Sequence, residues 1–506
     1  MTRGQIPSSA EAAGALSTEL DNEPLITTAA PSGSKLRQFT REIGLQALID
    51  APSDVRILCF QRVIRMLAYG QATLILTLYF SALGFSDELI GFFMTATLFG
   101  DVGISFILTM FADALGRRRV LIIGCALMCF SGIVFAISDN FWILLVAAIA
   151  GVISPSGNEV GPFRAVEEST LAHLVPPESR SDIYSWYALL GRLGAAVGTV
   201  SCGTLVQALQ QKAGWSNVRS YRFIYIFYST IAVIKLYTSY HLSDACELDS
   251  FLQRNKKWKM KANDSNDDDE TAEDALLLES TEELEEDLRD EVVAEEGGSS
   301  AVTRESKWRR FLPQISARSR KTLLILIPLF SMDAFGQGLV NNSWLTYYFS
   351  EKFGIHEASL GGMFFIGNFF ASLGALIAAS TAKRLGIVQT MVATHVPSSI
   401  ILGLIPITNS FPVAIFLFAI RSGTNMMDTA PRQVFISSIV LKEERTSVMG
   451  LANVFRTLSQ SIGPSITGAF AQRGKMWISF EIAMTVKVLY DVGILGFFLK
   501  EKLDRS

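Results

Sequence analysis

Of the 506 residues, 49% carry hydrophobic side chains and only 18% are charged, against roughly 25% charged in ordinary soluble proteins, and the mean hydropathy is +0.33. Such a chain does not close as a soluble enzyme, and its surplus apolar length calls for lipid. Residues 263–296 hold 17 of the 48 acids and a single base, Arg289, leaving 43 Lys and Arg against 31 acids elsewhere, so the net charge of −4 hides a basic body with one acidic insert and gives no support to a nucleic-acid partner. The five cysteines, Cys59, Cys125, Cys129, Cys202 and Cys246, show no metal-ligand spacing, and neither a disulfide framework, a metal nor a cofactor is expected.

In chain order, residues 1–55 are polar, contain no apolar core of signal-peptide length and read as a cytosolic tail. Within it, residues 36–49 fit either a short interfacial helix or a lead-in to the first span. A bilayer core takes about 20 apolar residues per helix, and such windows recur at 57–83, 88–110, 119–138, 142–164, 182–206, 222–241, 322–349, 360–381, 387–407, 412–440, 447–470 and 477–499. Continuous runs of this length in hydrocarbon are helical. The expected fold is therefore all-α and integral to the membrane, with twelve transmembrane helices: a six-helix bundle at 56–241, a cytosolic and largely disordered acidic loop at 242–320, a second six-helix bundle at 321–499, and a cytosolic tail at 500–506. Basic residues crowd alternate connections, at Arg117–Arg119, Arg180, Arg254–Lys261, Arg304–Lys321, Lys383–Arg384, Lys442 with Arg445, and Lys500 with Lys502. That bias puts both tails and the central loop in the cytosol. The loop is too polar for a core and reads as a solvated tether, although Leu284, Leu288 and Val292 leave open an acidic partner-binding helix.

The two halves match at a shift of about 266–270 residues. Arg65–Gln71 lies opposite Ser331–Gln337, Tyr79–Ser81 opposite Tyr348–Ser350, Gly91 opposite Gly361, and Gly116 opposite Gly386. Glu159 with Pro162 lies opposite Asp428 with Pro431, and after a four-residue gap Gly198 and Gly203 fall opposite Gly463 and Gly468. Parallel repeats of this kind pack about an axis along the membrane normal and enclose a site near the midplane, which favours alternating access.

The segment from Thr109 to Arg119, with Asp113, Gly116, Arg117 and Arg118, resembles the loop signature of the major facilitator superfamily, Gly-x-x-x-Asp-x-x-Gly-Arg-Arg. With the six-plus-six layout the resemblance covers residues 56–499 and points to a fungal branch of the family. It implies two pseudo-symmetric bundles and a conformational latch at Asp113, Gly116, Arg117 and Arg118 across the cytosolic face. The sequence departs from the signature at Thr109, where the family has glycine, and at Lys383, which takes the aspartate position of the second copy.

Ionisable residues deep in a span are costly and are functional candidates by default. Counted from the span ends, Asp101, Glu159, Asp333 and Asp428 fall near mid-depth. The fourth span carries Asn158, Glu159 and Arg164 among two prolines and two glycines, which predicts a kink. Arg164 can pair with Glu167, Asp428 with Arg432, and Lys487 with Asp491, all at helical spacing. Span 7 adds Gln337, Asn341 and Asn342 behind Asp333, span 1 adds Arg65 with Arg62 snorkelling nearer the boundary, and Arg192 and Arg456 are further buried cations. The substrate and proton-coupling candidates are thus Arg65, Asp101, Asn158, Glu159, Arg164, Asp333, Gln337, Asn341, Asn342, Asp428 and Arg432.

The expected function is secondary active transport of a small solute by alternating access, by symport or antiport with protons. An anion is slightly favoured because arginines are numerous and do not neutralise by deprotonation. The alternative is a nutrient receptor on the same fold, signalling through the acidic loop. No P-loop, Ser/His/Asp set or metal set appears among residues that include only four histidines, so no enzyme is expected. Asp21–Ile26 and Glu273–Leu278 have the spacing of acidic dileucine signals for sorting adaptors, and the plasma membrane and a vacuolar or endosomal membrane both stay open.

Overall fold

The computed structural model describes residues 45–151, 153, 162–247, 317–429, 431–433, 435 and 445–503, excepting the side chains of 105–114, 162, 165, 317–322, 379, 383, 445–447 and 498–503. Asn158, Glu159, the acidic block and both dileucine segments lie outside this range, as does the Asp113 side chain.

A short helix, α1 (Leu45–Ile49), precedes the first span and packs against the fifth. Spans 1 to 3 are α2 (Ser53–Ala82), α3 (Asp87–Leu115) and α4 (Arg117–Ile137), and span 4 is described in α5 (Phe141–Gly151) and α6 (Pro162–Leu174), the expected kink at 154–161 lying outside the described residues. Spans 5 and 6 are α7 (Pro177–Gln211) and α8 (Asn217–Tyr240), followed by a 3-10 turn at Asp244–Cys246. Span 7 is broken into α9 (Ala317–Leu339) and α10 (Asn342–Phe353), and span 8 is α11 (Glu357–Leu385). The remainder are α12 (Ile387–Leu404), α13 (Phe411–Met427), α14 (Arg445–Ala471) and α15 (Trp477–Leu503). The broad outer surface of Ile137, Trp142, Leu376 and Phe416 side chains is exposed, as a lipid-facing surface requires.

Local chemistry sets the breaks. Gly116 and Gly386, opposite one another in the repeat, both turn the chain at φ 92° and 94°, a region that side chains with a Cβ disfavour. They separate α3 from α4 and α11 from α12. In span 7 the helix stops at Leu339, and the Asn341 side-chain oxygen accepts from the Trp344 amide at 2.9 Å to start α10, which is the ordinary work of an N-cap.

Packing repeats between the halves. Span 1 lies on span 5 as span 7 lies on span 11, and span 3 lies on span 6 as span 9 lies on span 12. The halves meet through spans 2 and 11 on one side and spans 5 and 8 on the other. These two seams are glycine contacts near the face that the arginine bias assigns to the outside. A Cβ on Gly91 would stand 2.6 Å from the Pro464 carbonyl oxygen, and one on Gly468 2.4 Å from that of Asp87. On the other seam, Gly203 would meet the Glu357 carbonyl at 2.2 Å and Gly361 the Thr199 carbonyl at 2.5 Å. Polar contacts flank them: Ser465 donates to Thr95 at 2.8 Å, Tyr221 to Glu357 at 2.6 Å, and Ser343 to the Thr73 carbonyl at 3.0 Å. The described hydrogen bonds between the halves gather in this outer part or, at Arg192, near mid-depth.

A side chain placed on a seam should hold the outer part open. Gly203→Val is expected to raise labelling of Thr95→Cys, in a background without the native cysteines, by a membrane-impermeant maleimide applied from outside. Unchanged labelling would mean that the seam is not the closing surface.

Candidate functional site

Each half buries a knot of charge. In the first, Glu167 on α6 is fully enclosed and accepts from Arg65 of span 1 at 2.7 Å and from Lys235 of span 6 at 3.0 Å. The Tyr187 hydroxyl of span 5 also donates to it. Phe163 forms the apolar wall, with the Lys235 ammonium 3.7 Å from its ring centroid and the Arg65 guanidinium 5.3 Å. Arg62 is buried in the same region over the Tyr187 ring at 4.7 Å; it does not snorkel to the boundary, because the aromatic face and the close-packed Gly191 of span 5 shelter it.

In the second half Asp333 on span 7 is the centre. Its Oδ1 accepts from Lys487 of span 12 at 2.6 Å and its Oδ2 from Arg432, beyond α13, at 2.7 Å. Arg432 Nε also donates to Asp428 at 2.8 Å, the pair that four-residue spacing suggests. His395 of span 9 joins the cluster, with Nε2 3.4 Å from Asp333 and Nδ1 2.8 Å from Asp491 of span 12. The Tyr490 ring packs edge-on to His395 at 5.6 Å and beneath Arg432 at 5.7 Å.

Two expected pairings change partner. Arg164 is exposed and bonds Glu168 at 2.7 Å, while Glu167 turns inward. Lys487 and Asp491 do not neutralise each other, since each reaches a different partner across the bundle. For Glu167, Lys487 and Asp491 a partner on another helix replaces the one a turn away, because the inward face offers a buried charge to be matched, while Arg164 keeps a partner one turn along its own exposed face. Lys235, Tyr187 and His395 are the members that the sequence reading misses. Lys235 carried a readable signal, as a lone cation deep in an apolar span.

Other predicted residues are spread more widely. Asp101 is fully buried in α3, Gln337 and Asn342 are half-buried, and Asn341 serves as the cap described above. Where the resemblance implies a latch, the Arg117 and Arg118 amides donate to the buried Glu247 carboxylate at 2.7 and 3.0 Å. The Arg118 side chain reaches Asp244 at 3.7 Å and lies over the Tyr240 ring at 5.3 Å, contacts within its own half. Among the arginines within the spans, Arg192, Arg421 and Arg456 are half-buried and have no acid within ion-pair distance among the described residues. Arg192 reaches from span 5 to the Ala371 carbonyl at 3.5 Å and Met426 sulfur at 3.0 Å in the other half. Arg421 lies near Lys487, and Arg456 near Arg432 and Asp333. No group of three His, Cys, Asp or Glu among the described residues is placed to hold a metal.

Removing the carboxylate of a buried pair strands its cations and costs about 3–5 kcal/mol, whereas an exposed pair is worth about 0–1 kcal/mol. Glu167→Gln should therefore lower the thermal midpoint of the purified protein far more than Glu168→Gln. Equal shifts would show that the knot does not hold the first bundle together.

The sequence matches the family profile described as Major Facilitator Superfamily over residues 58–464 and 326–499. It is 34% identical over 451 residues to the Saccharomyces cerevisiae protein described as "Uncharacterized membrane protein YJR124C", covering 89% of this chain and 95% of that one. Among solved structures, a D-xylose-proton symporter superposes with a TM-score of 0.61 at 15% identity, covering 87% of this chain and 97% of its own. The nucleoside transporter NupG gives 0.61 at 12% identity, covering 88% and 99%. At such identities the two structures establish the fold alone. Twelve spans among the described residues, in two similar bundles with a charge knot inside each, and a profile match spanning most of the sequence lead to one conclusion: this chain is an integral membrane transporter of the Major Facilitator Superfamily.

Proposed function

We propose that the protein is a proton-coupled secondary transporter that moves a small anion by alternating access. The observation that carries the anion is the cationic surplus between and beside the knots: Arg192, Arg421 and Arg456 have no carboxylate partner among the described residues, while Glu167, Asp333 and Asp428 are already matched to Arg65, Lys235, Lys487 and Arg432. An arginine keeps its charge at any physiological pH, and these three, half-buried among the spans, are partly desolvated without an adjacent counter-charge, which carries a cost. A solute bearing carboxylate or phosphate oxygens offsets that cost and fits the planar guanidinium fork.

Alternating access is supported by the arrangement of contacts. Both knots lie within single halves, so one bundle can rock on the other without breaking a buried ion pair, and the glycine seams are what must part. Proton coupling is supported by the acids inside the spans, Asp101 and Asp333, and by a neighbour in fold that is named a proton symporter.

Purified protein in proteoliposomes, loaded in turn with dicarboxylates, phosphate esters, inorganic phosphate, pentoses and nucleosides, should catalyse counterflow of at least one anion. Arg421→Ala and Arg456→Ala should each slow that exchange about tenfold or more, equivalent to about 1.4 kcal/mol. Exchange of a neutral solute with every anion ignored would reject the substrate class, and no exchange of any solute would reject transport.

A further inference from the structure

We propose that His395 carries the coupling proton, and that its protonation and the binding of an anion beside Asp333 favour one another. This rests on the reading of the protein as a proton-coupled anion carrier, and it identifies the group that links the two.

The geometry around the ring is the argument. His395 is almost wholly buried and has a carboxylate at each nitrogen, Asp491 at Nδ1 (2.8 Å) and Asp333 at Nε2 (3.4 Å). An imidazolium has a proton to offer on both sides, whereas a neutral imidazole has one. Asp491 has His395 as its described hydrogen-bond partner, while Asp333 is also held by Lys487 and Arg432. Losing a proton therefore costs least at Nε2: the neutral ring keeps its bond to Asp491 and turns a lone pair toward Asp333. The step is proton transfer alone, with the Nε2–H bond formed from hydronium and broken to water.

The charged and titratable groups facing the ring come from two helices, Asp333 on span 7 and Lys487, Tyr490 and Asp491 on span 12. Span 10 contributes the Arg421 carbonyl one turn away, bonded by Ser398 at 3.1 Å, and the Arg421 side chain beyond it near Lys487. With the ring charged, three cationic groups share Asp333. With the ring neutral, Lys487 and Arg432 share it alone, and the cluster has lost one positive charge. An anion approaching Arg421, Arg456 and Arg432 meets a more positive cluster when His395 is protonated. Linkage is reciprocal, so the bound anion holds the proton equally well, and the two solutes travel in the same direction.

The test uses proteoliposomes of the full chain with a pH-sensitive dye inside, to which the anion panel is added. In the wild type an anion that undergoes counterflow should acidify the lumen, and a one-unit pH gradient should accumulate it about tenfold for each coupled proton, since one pH unit is worth about 1.36 kcal/mol. His395→Gln should abolish acidification and gradient-driven accumulation while counterflow of the same anion remains measurable. Asp491→Asn, which keeps the histidine but removes the acceptor that fixes its tautomer, should weaken both proton readouts and serves if His395→Gln does not fold. Undiminished acidification in either folded variant overturns the assignment to His395 and leaves the anion carrier standing. Counterflow without acidification in the wild type overturns proton coupling itself, and the absence of counterflow overturns the anion reading on which the inference rests.

Discussion

The cost of holding charge inside hydrocarbon governs this structure. Glu167 and Asp333, the carboxylates at the centre of each half, are both matched by cations from other helices of their own half, and the matching ties those helices together. Glu167 draws spans 1, 4, 5 and 6 together; Asp333 and Asp491 draw together spans 7, 9, 10 and 12. Once made, such a knot is expensive to open, so each bundle moves as a unit and relative motion is left to the contacts between them.

The two knots are related but not copies. In the first half the acid sits on span 4 and the arginine on span 1; in the second the acid sits on span 7 and the arginine just beyond α13, which exchanges the signs at equivalent places. Both halves then add a lysine from their sixth helix, Lys235 and Lys487. The packing has kept the requirement for neutralisation while the identities of the partners have diverged. The second half went further by bringing His395 and Asp491 into its cluster.

Much of this was legible from the sequence, and the limits have a physical origin. Twelve windows of lipid length give the fold, because a hydrocarbon slab imposes a length that few other environments impose. The glycines that align between halves also reveal contacts: Gly91 and Gly361 are matched in the repeat, as are Gly203 and Gly468, and the structure places Gly91 against Gly468 and Gly361 against the helix of Gly203. Charges at mid-depth single out Arg65, Asp333 and Asp428. What could not be read is which charge answers which. Helical spacing pairs Arg164 with Glu167 and Lys487 with Asp491, but Glu167 and Lys487 find partners 102 and 154 residues away, a separation set by how bundles close and not by any local period. His395, one of four histidines, gives no sign by itself that acids approach both of its nitrogens.

The glycine seams carry a consequence for variation in this protein. At Gly91, Gly203, Gly361 and Gly468 the opposing backbone leaves no room for even a methyl group, although no solute need ever touch these positions. Natural replacement there should be as rare as at any residue that grips cargo, so a map of invariant sites would highlight the hinge surfaces alongside the binding residues and, taken alone, would not tell the two apart.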